Sequence, residues 1–189
     1  MKKIIVIYKT KYGSTRQYAQ WISEELGCKA VPLEEVKPAQ LDSYDVIIYG
    51  GGIQGGGIRG FDQFKKWIKP FLKNGNTGGN SGKKIIIFSV GINNQEQECR
   101  MQLRDINFDK SYLKPLTCYC FTGAYDPSKI KGIDKIIMGV VRKMAGGKPQ
   151  SEMTEAEKAL LLHIDEGCNL VSKDQIEPLI EDVKESLVE

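Results

Sequence analysis

Two rhythms of apolar residues alternate along the chain. Residues 3–8 (KIIVIY) form a continuous β-branched run, the pattern of a strand covered on both faces. Residues 15–26 (TRQYAQWISEEL) then carry Tyr18, Trp21, Ile22 and Leu26 at helical spacing, with Gly27 as a stop. A short extended piece at 28–33 predicts a second strand, and 43–50 (SYDVIIYG) a buried third that runs into a glycine cluster. Phe61, Phe64, Ile68, Phe71 and Leu72 repeat at i, i+3, i+4 and i+7 across 61–72, where Pro70 is expected to kink or shorten the helix end. Asn74–Gly82 (NGNTGGNSG) is polar and low in complexity, which predicts a flexible surface loop. Beyond it, 83–91 (KKIIIFSVG) predicts a buried strand, 95–105 a polar helix and 115–123 (PLTCYCFTG) a further strand. Five strands joined by helical crossovers predict an α/β doubly wound parallel sheet with helices on both faces.

After Gly123 the pattern turns wholly helical. Ile133, Ile136, Ile137, Val140, Val141 and Met144 share a face of a helix ending near Gly146-Gly147. Lys135, Arg142 and Lys143 lie opposite that stripe. The face is expected either to pack on the domain or to meet an anionic membrane surface, a quinone or a protein partner. Thr154 to Glu157 is a capping box that opens another helix. Ser172-x-x-Gln175 is expected to start the last one, with Pro178 shifting its beginning.

Composition narrows the class without naming a job. At 189 residues the chain fits one domain, 1–189, large enough to bury a core without disulfides or a structural metal. A net charge of +3 gives no reason to expect nucleic acid. The five cysteines are odd in number and have no C-x-x-C spacing, which fits free thiols in a reduced, cytoplasmic setting. Cys118 and Cys120 fall on one strand face and read as small apolar fillers. The chain opens on a strand-like run rather than a leader pattern, and its apolar runs fall short of the ~18 residues a membrane span needs.

Candidate chemistry concentrates between the first strand and the first helix, at Thr10, Lys11, Tyr12, Gly13, Ser14 and Thr15. A glycine turn can direct backbone N–H groups inward, and the following helix offers its positive end, so three hydroxyls complete an anion cradle. The plainer reading is a hydroxyl-rich helix cap without a ligand. Two further loops, 50–60 (GGGIQGGGIRG) and 89–94 (SVGINN), also follow buried strands and rise from the same sheet edge, where open α/β sheets bind ligands. Competing motifs are weaker. Gly50 to Gly55 matches G-x-G-x-x-G but follows a later strand and lacks the downstream acid. Gly82-Lys83 ends a glycine-rich run with the wrong spacing for a phosphate loop. His163, the only histidine, reads as structural.

The T-x-x-G-x-T loop resembles the phosphate loop of flavodoxins. The likeness extends through 10–19 (TKYGSTRQYA), 44–54 (YDVIIYGGGIQ), 88–94 (FSVGINN) and 122–147. It is strongest to the flavodoxin-like branch that contains menaquinone-dependent protoporphyrinogen dehydrogenases. The last stretch looks like that branch's helical insertion after the fifth strand. This resemblance implies FMN, with its phosphate on Thr10–Thr15. Gly51, Gly52, Ile53 and Gln54, and Ser89, Val90, Gly91, Ile92 and Asn93, would flank the ring. Glycines 50–52 would let a peptide turn its carbonyl toward the flavin. No catalytic acid, base or nucleophile and no metal is required. The implied job is electron transfer or oxidoreduction with a redox partner protein or a small-molecule or quinone acceptor. A protoporphyrinogen or quinone-linked dehydrogenase stays open, as does a non-redox module binding a phosphate ligand, since 50–60 holds no aromatic to stack on a flavin.

Overall fold

A computed structural model describes residues 2–72, 82–92, 97–110, 113 and 116–188. Most of the predicted loop at 74–82 therefore lies outside the described residues, as do Asn93 and Asn94. Strands β1 (Ile4–Lys9), β2 (Lys29–Pro32), β3 (Val46–Gln54), β5 (Lys84–Gly91) and β6 (Thr117–Thr122) form a parallel sheet in the order β2-β1-β3-β5-β6. The chain steps from β1 outward to β2, then returns and builds the other half. The order reverses between β1 and β3, and that switch point opens a crevice at the carboxyl edge. The doubly wound five-stranded sheet is the one its sequence predicts.

Alternation along each strand feeds two cores, one on each face. Ile5, Ile7, Ile47, Tyr49, Ile85 and Ile87 point to the side covered by α2 (Phe61–Leu72) and α3 (Gln97–Asn107). Val6, Val46, Ile48, Ile86 and Phe88 point to the side covered by α1 (Ser14–Glu25) and α6 (Glu177–Val188). Each fully buried aliphatic or aromatic side chain contributes roughly 1.5–3 kcal/mol, so both faces are anchored. Pro70 sits inside the last turn of α2, and the helix still runs to Leu72.

Four sequence expectations are corrected. First, the glycine cluster is not a loop: Gly50, Gly51 and Gly52 belong to β3 and pair in register with Phe88, Ser89 and Val90. A Cβ at Gly50 would stand 1.9 Å from the Phe88 ring, and one at Gly51 2.5 Å from Ile58. Close packing accounts for Gly50 and Gly51. The turn comes later, where β3 folds back on β4 (Gly57–Ile58) through Gly55 and Gly56. Both have positive φ, 56° and 82°, as a two-residue type I′ hairpin requires.

Second, Ser172 makes no capping bond and opens only a 3-10 turn, Lys173–Ile176; α6 begins at Glu177. Gln175 is drawn away to Thr122, whose N–H it accepts at 2.8 Å and whose hydroxyl it meets at 2.7 Å. Third, the region after β6 is not purely helical, since β7 (Ala124–Tyr125) pairs with β8 (Cys168–Asn169). Fourth, the six apolar residues of the insertion helix, α4 (Ile133–Ala145), do not share one packed face. Ile137 and Val141 turn inward, while Ile133, Ile136, Val140 and Met144 are exposed. The predicted capping box is present at Thr154 and Glu157, opening α5 (Glu155–Glu166).

Candidate functional site

A cavity of about 630 Å³ lies over the carboxyl edge at the β1–β3 switch point. Its floor is built by three short connections. Thr10 Oγ1 accepts the Gly13 N–H at 3.1 Å and closes the first turn, with Gly13 at φ 105° as the residue preceding α1. No side chain caps α1, so its first N–H groups have no partner inside the helix and face the crevice end of the strand. Thr15 is 3% exposed and packs beside Gly52, where an added Cβ would stand 3.5 Å from its hydroxyl. Ser14 Oγ accepts the Ala124 N–H at 3.1 Å, tying this loop to the chain just past β6. Hydroxyls that accept in this way keep an O–H to donate.

Of the residues singled out in the sequence, Thr10 to Thr15, Gly52, Ile53, Gln54, Val90, Gly91 and Ile92 line the cavity together. Two do not. Gly51 is inside β3 against Ile58 and Arg59, and Ser89 is fully buried with its hydroxyl directed toward β6, 3.6 Å from Cys120 Sγ. Asn93 lies outside the described residues.

Two features of the site are absent from the sequence reading. The hairpin beyond β3 is held by Asn107 of α3, which accepts the Ile58 N–H and donates to the Gly56 carbonyl, both at 2.8 Å. Asp134 of α4 gathers side chains from three places. Its carboxylate accepts from Lys11 Nζ, Tyr12 Oη and Gln54 Nε2, each at 2.6 Å, and Arg59 Nη2 stands 3.8 Å away. Burial pushes the Asp134 carboxyl up, but the bonds from Lys11 and Tyr12 outweigh it and hold the group below the usual carboxylate range. Asp134 raises Lys11 in return, and burial followed by the same carboxylate raises Tyr12. A sequence signal did exist: Asp134 is the only acidic residue between Lys131 and Lys148.

The insertion thereby becomes a roof. Ile137, Met138, Val141 and Ala145 of α4, Leu160 of α5, and Leu103 and Ile106 of α3 also line the cavity, and Asp134 fastens α4 to the phosphate-type loop. Tyr12 and Tyr125 are the aromatics at the wall. One end thus offers backbone and hydroxyl donors; the other is aliphatic. Because Lys11 is committed to Asp134, an anion would be held mainly by neutral donors and the helix dipole. This donor set, with Gly52 and Gly123 allowing close approach, fits a cofactor carrying a phosphate on one end and a flat apolar ring on the other. Among the described residues no three metal-ligating side chains cluster.

Comparison with known proteins places this geometry in a family. The model of the Flavodoxin domain matches residues 5–152. A curated relative, the Protoporphyrinogen IX dehydrogenase [quinone] of Escherichia coli (strain K12), is 22% identical over 156 residues, covering 77% of this chain and 82% of the relative. Among solved structures, a flavodoxin, WrbA-like protein from Agrobacterium tumefaciens aligns with 15% identity and a TM-score of 0.46, over 65% of this chain and 84% of that one. A flavodoxin from the domain Archaea aligns with 12% identity and a TM-score of 0.43, over 86% and 96%. The chain belongs to the flavodoxin domain family and is an FMN-binding redox protein.

Proposed function

We propose that the chain holds FMN with its phosphate on Thr10–Thr15 and exchanges electrons with an apolar, quinone-type molecule admitted beneath α4. The observation that carries this reading is the continuity of one cavity, with a phosphate-type cradle at one end and the aliphatic wall of Ile106, Ile137, Met138, Val141 and Leu160 at the other. A relative named for protoporphyrinogen and quinone supports a large, poorly soluble reactant. Bound FMN supplies one- and two-electron redox chemistry at its ring system. The chain's own residues do the rest. Ser14, Thr15 and the first N–H groups of α1 bind the phosphate. Gly52, Ile53 and Gln54 on one side, with Val90, Gly91 and Ile92 on the other, flank the ring. Gln54 has its amide N–H₂ committed to Asp134, which leaves its carbonyl oxygen to accept from a ligand N–H. The roof residues exclude water.

Residues 122–131 (TGAYDPSKIK) contain one aromatic, Tyr125, and no arginine, which favours a quinone over a porphyrinogen as the reactant. Beyond the family match, α6 contributes Leu179, Ile180 and Val183 to the same core as β1, β3 and β5, which supports one domain over 1–189. No helix among the described residues is long and apolar enough to cross a membrane, and the free thiols suit a reduced cytoplasm. The exposed stripe of α4, beside Lys143, suits peripheral contact with an anionic membrane, where such an acceptor dissolves. Absorbance and fluorescence test the reading. The purified chain is expected to be yellow or to quench added FMN, and the reduced form to reoxidise with a short-chain quinone. A colourless chain that leaves FMN fluorescence unchanged would overturn it.

A further inference from the structure

Among the described residues, four charged side chains line the cavity: Lys11, Arg59, Asp134 and Glu157. Three of them are engaged. Lys11 Nζ donates to Asp134 at 2.6 Å, and Glu157 accepts from Lys148 at 2.8 Å while it caps α5 at Thr154. Arg59 differs. Its Nη2 stands 3.8 Å from Asp134 Oδ2, beyond hydrogen-bond reach. That oxygen already accepts from Lys11 and Tyr12, and Oδ1 accepts from Gln54. Among the described residues the guanidinium donates no hydrogen bond, although its side chain is only 22% exposed. Lys11 and Asp134 offset each other, so the cluster keeps one net positive charge, carried by Arg59.

The backbone fixes where this cation starts. The Arg59 N–H donates to the Gly52 carbonyl at 2.9 Å, and the Arg59 carbonyl accepts from the buried Tyr49 hydroxyl at 2.6 Å. Gly60, with φ at 76°, then turns the chain into α2. Arg59 is thereby locked beside the segment that flanks the ring in the proposed function, a reading on which this inference rests. We propose that Arg59 sets the redox preference of the site, its guanidinium holding the anionic reduced flavin ring more tightly than the neutral oxidised one.

Charge carries the argument. An oxidised flavin ring is neutral, and uptake of two electrons and one proton leaves it with one negative charge near N1. A cation in a partly desolvated wall attracts the second state far more than the first. The planar fork of N–H donors also suits a ring edge that presents a nitrogen beside a carbonyl oxygen. A group bound more tightly when reduced is more easily reduced, so Arg59 raises the midpoint potential. A guanidinium closed onto a carboxylate would lack this effect, which is why the 3.8 Å separation matters.

The test is a dithionite titration of the FMN-loaded full chain beside a dye of known potential, with oxidised FMN binding measured separately. Wild type is expected to bind reduced FMN at least as tightly as oxidised FMN, which puts the bound midpoint no lower than that of free FMN. Arg59→Gln is expected to reduce the preference for the reduced form about tenfold, or about 30 mV for a two-electron couple. Its affinity for oxidised FMN should change little. Arg59→Lys keeps the charge and should retain most of the preference. Lys173→Gln removes an equal charge outside the cavity, where Lys173 pairs with Glu25, and should leave the potential unchanged. Equal weakening of both forms in Arg59→Gln would assign Arg59 to the phosphate or the fold and overturn the proposal. A wild-type midpoint below that of free FMN overturns it too, and decides the matter alone if Arg59→Gln does not fold. Wild type that binds no oxidised FMN would remove the cofactor reading itself, and this proposal with it.

Discussion

Asp134 on the insertion helix and Lys11 in the first strand–helix loop, 123 residues apart in sequence, meet at 2.6 Å above the cavity. Their pairing fastens a late segment of the chain onto the loop that opens the cofactor site. Lys11 is partly solvated, its side chain 39% exposed, so the pair is worth less than a fully buried one. A double-mutant cycle of Lys11→Met and Asp134→Asn, read by urea unfolding, is expected to give a favourable coupling above the error of the measurement. Amide exchange in α4 should also speed up in Asp134→Asn, since Tyr12 and Gln54 lose the same acceptor charge. A coupling near zero would mean the pair is a surface ornament.

The pH range of this fastening follows from the directions of the shifts. Asp134 is held below the usual carboxylate range when folded, so its contribution is fully present above an unfolded value of about 3.9 and is lost as pH falls through the folded one. Lys11 is raised, so its share persists up to about pH 10.4 and fades only above that. The stability difference between wild type and Asp134→Asn should therefore stay flat across neutral pH and shrink only in acid, as pH falls below the ordinary carboxylate range and through the folded value. A difference that already varies across neutral pH would point to another group.

How much of this was legible in the sequence depends on whether the cause was local. Strands β1, β3 and β5 show because each holds a continuous apolar run, and the phosphate-type loop shows because turn glycine, hydroxyls and helix start are adjacent in the chain. The hairpin at Gly55-Gly56 was also legible, as a Gly-Gly pair between Ile53 and Ile58, but the preceding glycines masked it. Gly50 and Gly51 misled because a glycine kept for a neighbour's side chain looks the same as one kept for a turn. Asp134 stood out as the lone acid of its segment, but its partners, like that of Gln175, were illegible because they lie 123 and 53 residues away. The split of α4 into an inward and an outward apolar face needs the roof geometry, which no helical periodicity contains.

The packing account of Gly50 has a measurable consequence. An alanine Cβ there would stand 1.9 Å from the Phe88 ring, which is itself fully buried. Gly50→Ala should cost roughly 2–3 kcal/mol by overpacking. Phe88→Leu makes room, so the double variant should be more stable than the sum of the two single losses by about 1 kcal/mol. Additive losses in urea unfolding would show that Phe88 is not what the glycine accommodates.

Tyr18 joins the two ends of the chain on the α1 side. Its hydroxyl donates to the Thr122 carbonyl at 2.7 Å and accepts the Ser172 N–H at 3.2 Å, while its fully buried ring packs on Trp21 and Phe121. Burial raises the phenol above its ordinary value, so it stays a donor at all physiological pH. Tyr18→Phe keeps the ring and strands both backbone groups, which should cost about 1–2 kcal/mol in thermal or urea unfolding. A loss below a few tenths would mean water replaces the hydroxyl.

The outer face of α4 offers the last test. Ile133, Ile136, Val140 and Met144 are 62%, 69%, 54% and 76% exposed and recur at i, i+3, i+7 and i+11, so they form one aliphatic line along the helix. Lys143 neighbours that line, and Arg142 on the far side is paired with Asp165. A line of this kind gains by entering the apolar edge of a bilayer, and the lysines add attraction to anionic headgroups that salt weakens. The chain should therefore sediment with phosphatidylglycerol-containing vesicles and less with phosphatidylcholine alone. Ile136→Glu with Val140→Glu should reduce that binding about tenfold or more, since two exposed apolar contacts become repelled charges. Both side chains point outward, so unfolding of the free protein should be unchanged. Binding that survives the double variant, or that is equal on both lipids, would remove the membrane from the list of partners and leave the stripe to a protein.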